Sequence, residues 1–97
     1  MNELIYQWDD EKNQLLMEHR KLSFERIVHA IENDKLIDVI PSPSPDHPEQ
    51  ECLVVDLDGY AHLVPYVQDG DVIFFKTIYP SRKHTRFYLR GGKNERQ

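Results

Sequence analysis

Two Asp-Gly dipeptides, Asp58-Gly59 and Asp69-Gly70, cut the apolar second half of the chain into segments of strand length. Asp-Gly between apolar runs favours a two-residue hairpin turn, because both central positions of a type I′ turn need positive φ. The pattern predicts a three-stranded β-meander running Cys52 to Leu57, Tyr60 to Val67 and Val72 to Tyr79. Pro80 ends it, since proline has no N–H to give to a ladder. Two-residue turns also set a register. Leu57 falls opposite Tyr60 and Val55 opposite His62; Gln68 falls opposite Asp71, which brings Thr77 to His62 and Tyr79 to Tyr60.

Strand alternation then divides the meander into two faces. One carries Cys52, Val54, Ala61, Leu63, Val72 and Phe74, is the more apolar, and is expected to receive the helices. The other carries Val55, Val64 and Phe75, and gathers Tyr60, His62, Thr77 and Tyr79 at one end.

The first half reads as a short strand and two helices. Leu4 to Trp8 is aromatic and β-branched, as strands prefer. Asp9 or Asp10 caps a first helix, with Glu11 in its first turn. Ser23 opens a second, whose apolar stripe is Phe24, Ile27, Val28 and Ile31. Asn33-Asp34 ends it, and Leu36 to Ile40 is a further strand. Four prolines between Pro41 and Pro48 require an extended, exposed loop. Ser81 to Leu89 is a short helix or an extended arm. The fold class is therefore α+β: an N-terminal strand and two helices packed on an antiparallel β-meander. The 97 residues, 39% hydrophobic, suffice for one domain, expected over 1–90, with 91–97 a flexible tail beyond Gly91-Gly92. No apolar run is long enough to span a membrane. With a single cysteine, Cys52, and no secretory signal, the cytoplasm is the expected compartment.

Charge is unevenly distributed. The net value of −5 conceals 5 Lys/Arg against 16 Asp/Glu in residues 1–71, and 7 against one in residues 72–97. An anionic partner suits the basic end, and a basic partner suits the acidic body. His62 and His84 are candidates for proton transfer, while Arg82, Lys83 and Arg86 are candidates for holding phosphate. Tyrosines such as Tyr60 can stack on unpaired bases. Such a set suits metal-independent RNA cleavage, which needs a base, an acid and cations around the phosphorane. A weaker candidate is a metal site from Asp46, His47, Glu49 and Glu51, whose spacing matches no metal motif. No metal or other cofactor is expected.

Tyr6-Gln7-Trp8-Asp9 followed by Glu11-Lys12-Asn13 resembles the opening W-D-x-x-K-N of BrnT-type toxins. Ser23-Phe24-Glu25 resembles that family's second helix start, and Lys76-Thr77-Ile78-Tyr79-Pro80-Ser81-Arg82-Lys83 its last strand and following basic residues. The resemblance covers residues 4 to 90. It implies a RelE-like fold and a cytoplasmic endoribonuclease, the toxin of a bacterial type II toxin–antitoxin system, that cleaves messenger RNA and arrests translation. It also implies a ribbon-helix-helix antitoxin as partner, in a homodimer or a toxin–antitoxin hetero-oligomer. Arg82 and Lys83 match the family's basic motif. The expected catalytic set is His62, Tyr79, Arg82, Lys83 and His84; the expected RNA-binding set is Lys76, Arg82, Lys83, Arg86 and Tyr60. The chain departs from the family in lacking an acid within His84 to Tyr88, in carrying Glu51-Cys52 where an arginine is common, and in its longer proline loop. These departures motivate an alternative, a non-catalytic interaction module on the same fold.

Overall fold

The computed structural model describes residues 3–43, 45–46 and 50–90. The chain runs β1 (Ile5–Gln7), α1 (Asp10–Arg20), α2 (Phe24–Glu32), β2 (Leu36–Pro41), β3 (Glu51–Leu57), β4 (Tyr60–Asp69), β5 (Val72–Phe75), β6 (Tyr79–Pro80) and α3 (Arg82–Tyr88). It is an α+β fold of three helices and one six-stranded sheet. Sheet order is β1-β5-β4-β3-β2, with β6 also pairing β4. Only β1 and β5 run parallel; every other pair is antiparallel. Among the described residues no helix is long and apolar enough to cross a membrane.

Local chemistry sets the element ends. Asp9 caps α1, its Oδ1 accepting from the Glu11 N–H at 3.0 Å. Lys21, at φ 56°, closes α1 in the left-handed conformation with its N–H on the Leu16 carbonyl. Ser23 caps α2, accepting from the Arg26 N–H. The buried amide of Asn13 joins the two helices. Its Oδ1 accepts from the Phe24 N–H at 2.8 Å, and its Nδ2 donates to Glu25 at 2.9 Å. The asparagine of the W-D-x-x-K-N stretch thus caps the helix that follows its own.

The first hairpin forms as its sequence requires: Asp58 and Gly59 both have positive φ (56° and 84°), and Leu57 pairs with Tyr60. The second departs from expectation. Asp69 pairs with Val72, so Gly70-Asp71 forms the loop, and of these only Gly70 has positive φ (62°). Positive φ at the first loop position alone is the type II′ pattern, which glycine serves without help from Asp69. Gln68 consequently faces Ile73 rather than Asp71.

The expected third strand also divides. Residues 76–78 leave the ladder and β6 resumes one residue out of step, placing Tyr79 opposite Leu63 and Pro80 opposite His62. Ile78 turns into the core around Phe75, while Tyr79 packs with Cys52 and Leu63 on the other side of the sheet. The expected pairs His62–Thr77 and Tyr60–Tyr79 do not form: the shifted second hairpin already moves the register by two residues, toward His62 opposite Tyr79, and the break moves it one more and inverts side-chain facing after Phe75.

The helices also divide contrary to expectation. α1 and α2 cover the face of Val55, Val64, Tyr66, Ile73 and Phe75, where Leu16, Phe24, Ile27 and Ala30 complete the main core. Phe75 lies at its centre, stacked on Tyr6, Trp8 and Phe24 with centroid separations of 5.4, 6.2 and 5.8 Å. The more apolar face has the smaller side chains Cys52, Val54 and Ala61, and it receives α3 through Tyr88 and Leu89 instead. Small residues let a short helix approach closely, whereas the broad aromatic face matches the larger side chains of α2.

Asn13→Ala leaves the buried Phe24 N–H without its acceptor and should lower unfolding free energy by about 1–3 kcal/mol. Gln14→Ala, one residue further on the exposed side, should change it by less than about 0.5 kcal/mol. Urea denaturation of the two variants tests the difference.

Candidate functional site

α3 owes its position to one hydroxyl. Thr85, 2% exposed, donates from Oγ1 to the Ser81 carbonyl and accepts from the Ala61 N–H, both at 2.7 Å. The Ser81 N–H in turn donates to the Ala61 carbonyl at 2.9 Å. α3 is thereby fastened to the start of β4, and Thr85 sets which of its sides faces outward. Arg82, Arg86 and Arg90 follow one another at intervals of four residues, and with Thr85 and Tyr60 they line a cleft of about 360 Å³. α3 carries no acidic residue. None of the three guanidinium groups has a carboxylate partner among the described residues. Three unneutralised arginines beside an aromatic ring suit a phosphate backbone with a base on the ring.

His84 lies on the adjoining side of α3, where Lys83, His84, Arg86, Phe87 and Tyr88 line a second cleft of about 480 Å³. Burial, aided by the charge of Lys83, lowers its pKa. The Ser81 Oγ caps α3 by accepting the His84 N–H at 3.2 Å and lies 2.6 Å from His84 Nδ1. The Ser81 hydroxyl and His84 Nδ1 share one proton, and this contact orients the ring. Tyr88 stacks on the ring at 6.3 Å and donates its hydroxyl proton to Asp38 at 2.5 Å.

The tautomer of His62 is set by a backbone carbonyl. The residue is 8% exposed, and its Nδ1–H donates to the Tyr60 carbonyl of its own strand at 2.9 Å. Nε2 therefore carries the lone pair, and it has no protein partner among the described residues. Burial lowers the pKa, and the charge of Arg26 adds to that, against the smaller opposing effect of the Tyr60 carbonyl. His62 shares a cleft of about 480 Å³ with Arg20, Leu22, Tyr79 and Pro80. The Tyr60 ring, edge-on to His62 at 5.9 Å, stands between this cleft and the arginine cleft.

The expected residues thus fall into three groups. Tyr60, Arg82 and Arg86 meet in the arginine cleft, joined by Arg90, which the sequence reading did not select. Lys83 and His84 line the next cleft along α3. His62 and Tyr79 border a third, with Arg20 of α1. The two histidines do not converge, because the strand carrying His62 turns it toward α1 and α2 while α3 lies on the opposite face. Lys76 borders none of these clefts; its ammonium lies 5.3 Å above the Phe74 ring. Tyr79 is held protonated, its pKa raised by burial and then by Cys52. Burial pushes the Cys52 thiol up to about 11, so it is no thiolate. Among the described residues no three His, Cys, Asp or Glu side chains gather as metal ligands; His47 and Glu49 lie outside those residues.

Arg90 lies just past the Leu89 cap of α3, so helical spacing does not announce it; it joins Arg82 and Arg86 through the turn that follows the helix. No family model matches the chain, nor does any curated protein or solved structure.

His62 and His84 both titrate below the ordinary 6.5 when folded. The unfolded chain then binds more protons than the folded one between those lowered values and 6.5, so stability is complete above that window and declines as pH falls through it. Urea midpoints measured from about pH 7.5 to about pH 5 should fall, and His62→Gln should make the fall shallower.

Proposed function

We propose that this protein is a metal-independent endoribonuclease of the toxin type, acting on single-stranded messenger RNA in the bacterial cytoplasm and held in check by a ribbon-helix-helix antitoxin. The observation that carries this reading is the cleft of Arg82, Arg86 and Arg90 beside Tyr60, with no acid on α3. Cations lining one cleft track a phosphate backbone, and the half-buried Tyr60 ring beside them offers a face on which a base stacks without regard to its identity. The acidic balance of residues 1–71 gives a basic antitoxin a complementary surface away from α3. Two neutral imidazoles supply proton-transfer groups that need no metal.

A second reading, a non-catalytic RNA- or protein-binding module, is favoured by one observation: His62 and His84 line clefts that share no residue. The two readings separate in one experiment. Induced alone in bacteria, the protein should stop growth, and the purified chain should cleave single-stranded RNA in excess EDTA. Intact RNA under both conditions would leave only the binding module. Replacing Arg82, Arg86 and Arg90 together with Ala should weaken RNA binding and reduce the slope of log affinity against log salt by about 2, at about 0.7 per phosphate contact. An unchanged slope would remove the arginine cleft from the RNA path.

A further inference from the structure

The cleft beside His62 does not end at Arg20. Arg20 and Tyr79 also line a second hollow of about 490 Å³, bounded by Lys12, Leu15, Leu16 and His19 of α1 and by Thr77. The two hollows adjoin at Arg20 and Tyr79, and together they border the groove between α1 and the strand segment 77–80. Its α1 wall is a single helix face, with residues 12, 15, 16, 19 and 20 at successive turns. On that face only Leu16 is buried; Leu15 is 49% exposed. An apolar stripe that fails to close on the sheet leaves room for a ligand. The groove residues include three cations or cation-formers from α1 (Lys12, His19, Arg20), with Thr77 and Tyr79 on the strand side and no carboxylate among them.

At the inner end lies His62, with its Nδ1 committed to the Tyr60 carbonyl and its Nε2 unpartnered. The geometry points to this groove as the RNA-cleaving centre, with His62 as general base, His19 as general acid, and Arg20, shared by both hollows, on the scissile phosphate. The assignment rests on the ribonuclease reading above and names its chemical centre. It also gives Tyr60 a use. Tyr60 borders the arginine cleft and touches His62, so a strand held by Arg82, Arg86 and Arg90 passes over its ring into the groove.

The step balances without an added reactant. His62 Nε2 takes the proton of a ribose 2′-hydroxyl, and that oxygen attacks the adjacent phosphorus. Arg20 and Lys12 offset the charge of the phosphorane. The bond from phosphorus to the 5′-oxygen breaks, its electron pair stays on that oxygen, and the proton of the His19 imidazolium goes to it. The products are a 2′,3′-cyclic phosphate and a 5′-hydroxyl end; the histidines then exchange protons with solvent. Burial holds His62 neutral, as a base must be.

The test uses the full chain, excess EDTA and a single-stranded RNA oligonucleotide under single turnover at saturating enzyme. His62→Gln and His19→Gln should each slow cleavage by about 100-fold or more while leaving RNA affinity within about threefold. A substrate with sulfur in place of the bridging 5′-oxygen has a leaving group that needs no acid. It should restore His19→Gln to near the wild-type rate and leave His62→Gln slow, a pattern a merely structural role would not produce. His19 is exposed, so its variant should keep the fold; if His62→Gln does not fold, the His19 arm decides alone. Wild-type rates in His19→Gln, or a slow variant that the sulfur substrate fails to restore, would overturn the assignment while leaving the ribonuclease reading standing. A wild-type chain that cleaves no RNA would overturn both.

Discussion

The stack of aromatic rings on Phe75 is what the rest of the molecule is built around. Phe75 is 1% exposed and meets Tyr6 of β1, Trp8 at the start of α1 and Phe24 at the start of α2. Trp8 and Phe24 also stack on each other at 5.6 Å. Each such pair contributes about 0.5–1.5 kcal/mol beyond simple burial. The stack joins segments that are far apart in sequence, so it locks β1 beside β5 and lays α2 across the sheet. The Asn13 amide then holds α1 to α2 through the backbone N–H of Phe24, itself a member of the stack. With that side of the sheet occupied by aromatic rings, α3 takes the opposite side, over Cys52, Val54, Ala61 and Leu63.

The break at residues 76–78 shapes the candidate site as much as the stack shapes the fold. It sends Ile78 into the main core and turns Tyr79 to the far face. It also takes Thr77 and Ile78 out of the ladder, and Thr77 borders the groove toward α1. A continuous strand would have put Thr77 and Tyr79 beside Tyr60 and His62 in one tidy cluster. The broken one separates the polar groups into an arginine cleft, a His84 cleft and a His62 groove, with Tyr60 between the first and the last. Hydrogen bonds within the strand and helix also hold the two histidine rings: a strand carbonyl takes the Nδ1 proton of His62, and the capping Ser81 hydroxyl pairs with Nδ1 of His84.

Local chemistry made much of the fold readable from the chain. Asp58-Gly59 forms the turn its two residue types favour, Asp9 and Ser23 cap the helices they precede, and the Phe24–Ile27 stripe marks a buried helix face. The basic last quarter was equally plain as composition. The second hairpin was not, because Asp69-Gly70-Asp71 admits two neighbouring turns and only long-range pairing with β1 chooses between them. Which face α1 and α2 would cover was also undecided, since both faces are apolar and hydrophobicity alone is non-directional.

What the sequence by itself determined, then, is the inventory: three strands' worth of meander, two capped helices, and a last quarter rich in Lys and Arg. The strands and helices follow from interactions within a few residues, which backbone sterics and capping decide locally. Only the tertiary structure decided which of these groups meet. Lys12, His19 and Arg20 gave no sign of function on an exposed helix, and they acquire one because α1 leans over the segment 77–80 without closing on it. The physical reason is that a one-residue offset in a strand inverts every side chain after it, and no local rule announces such an offset.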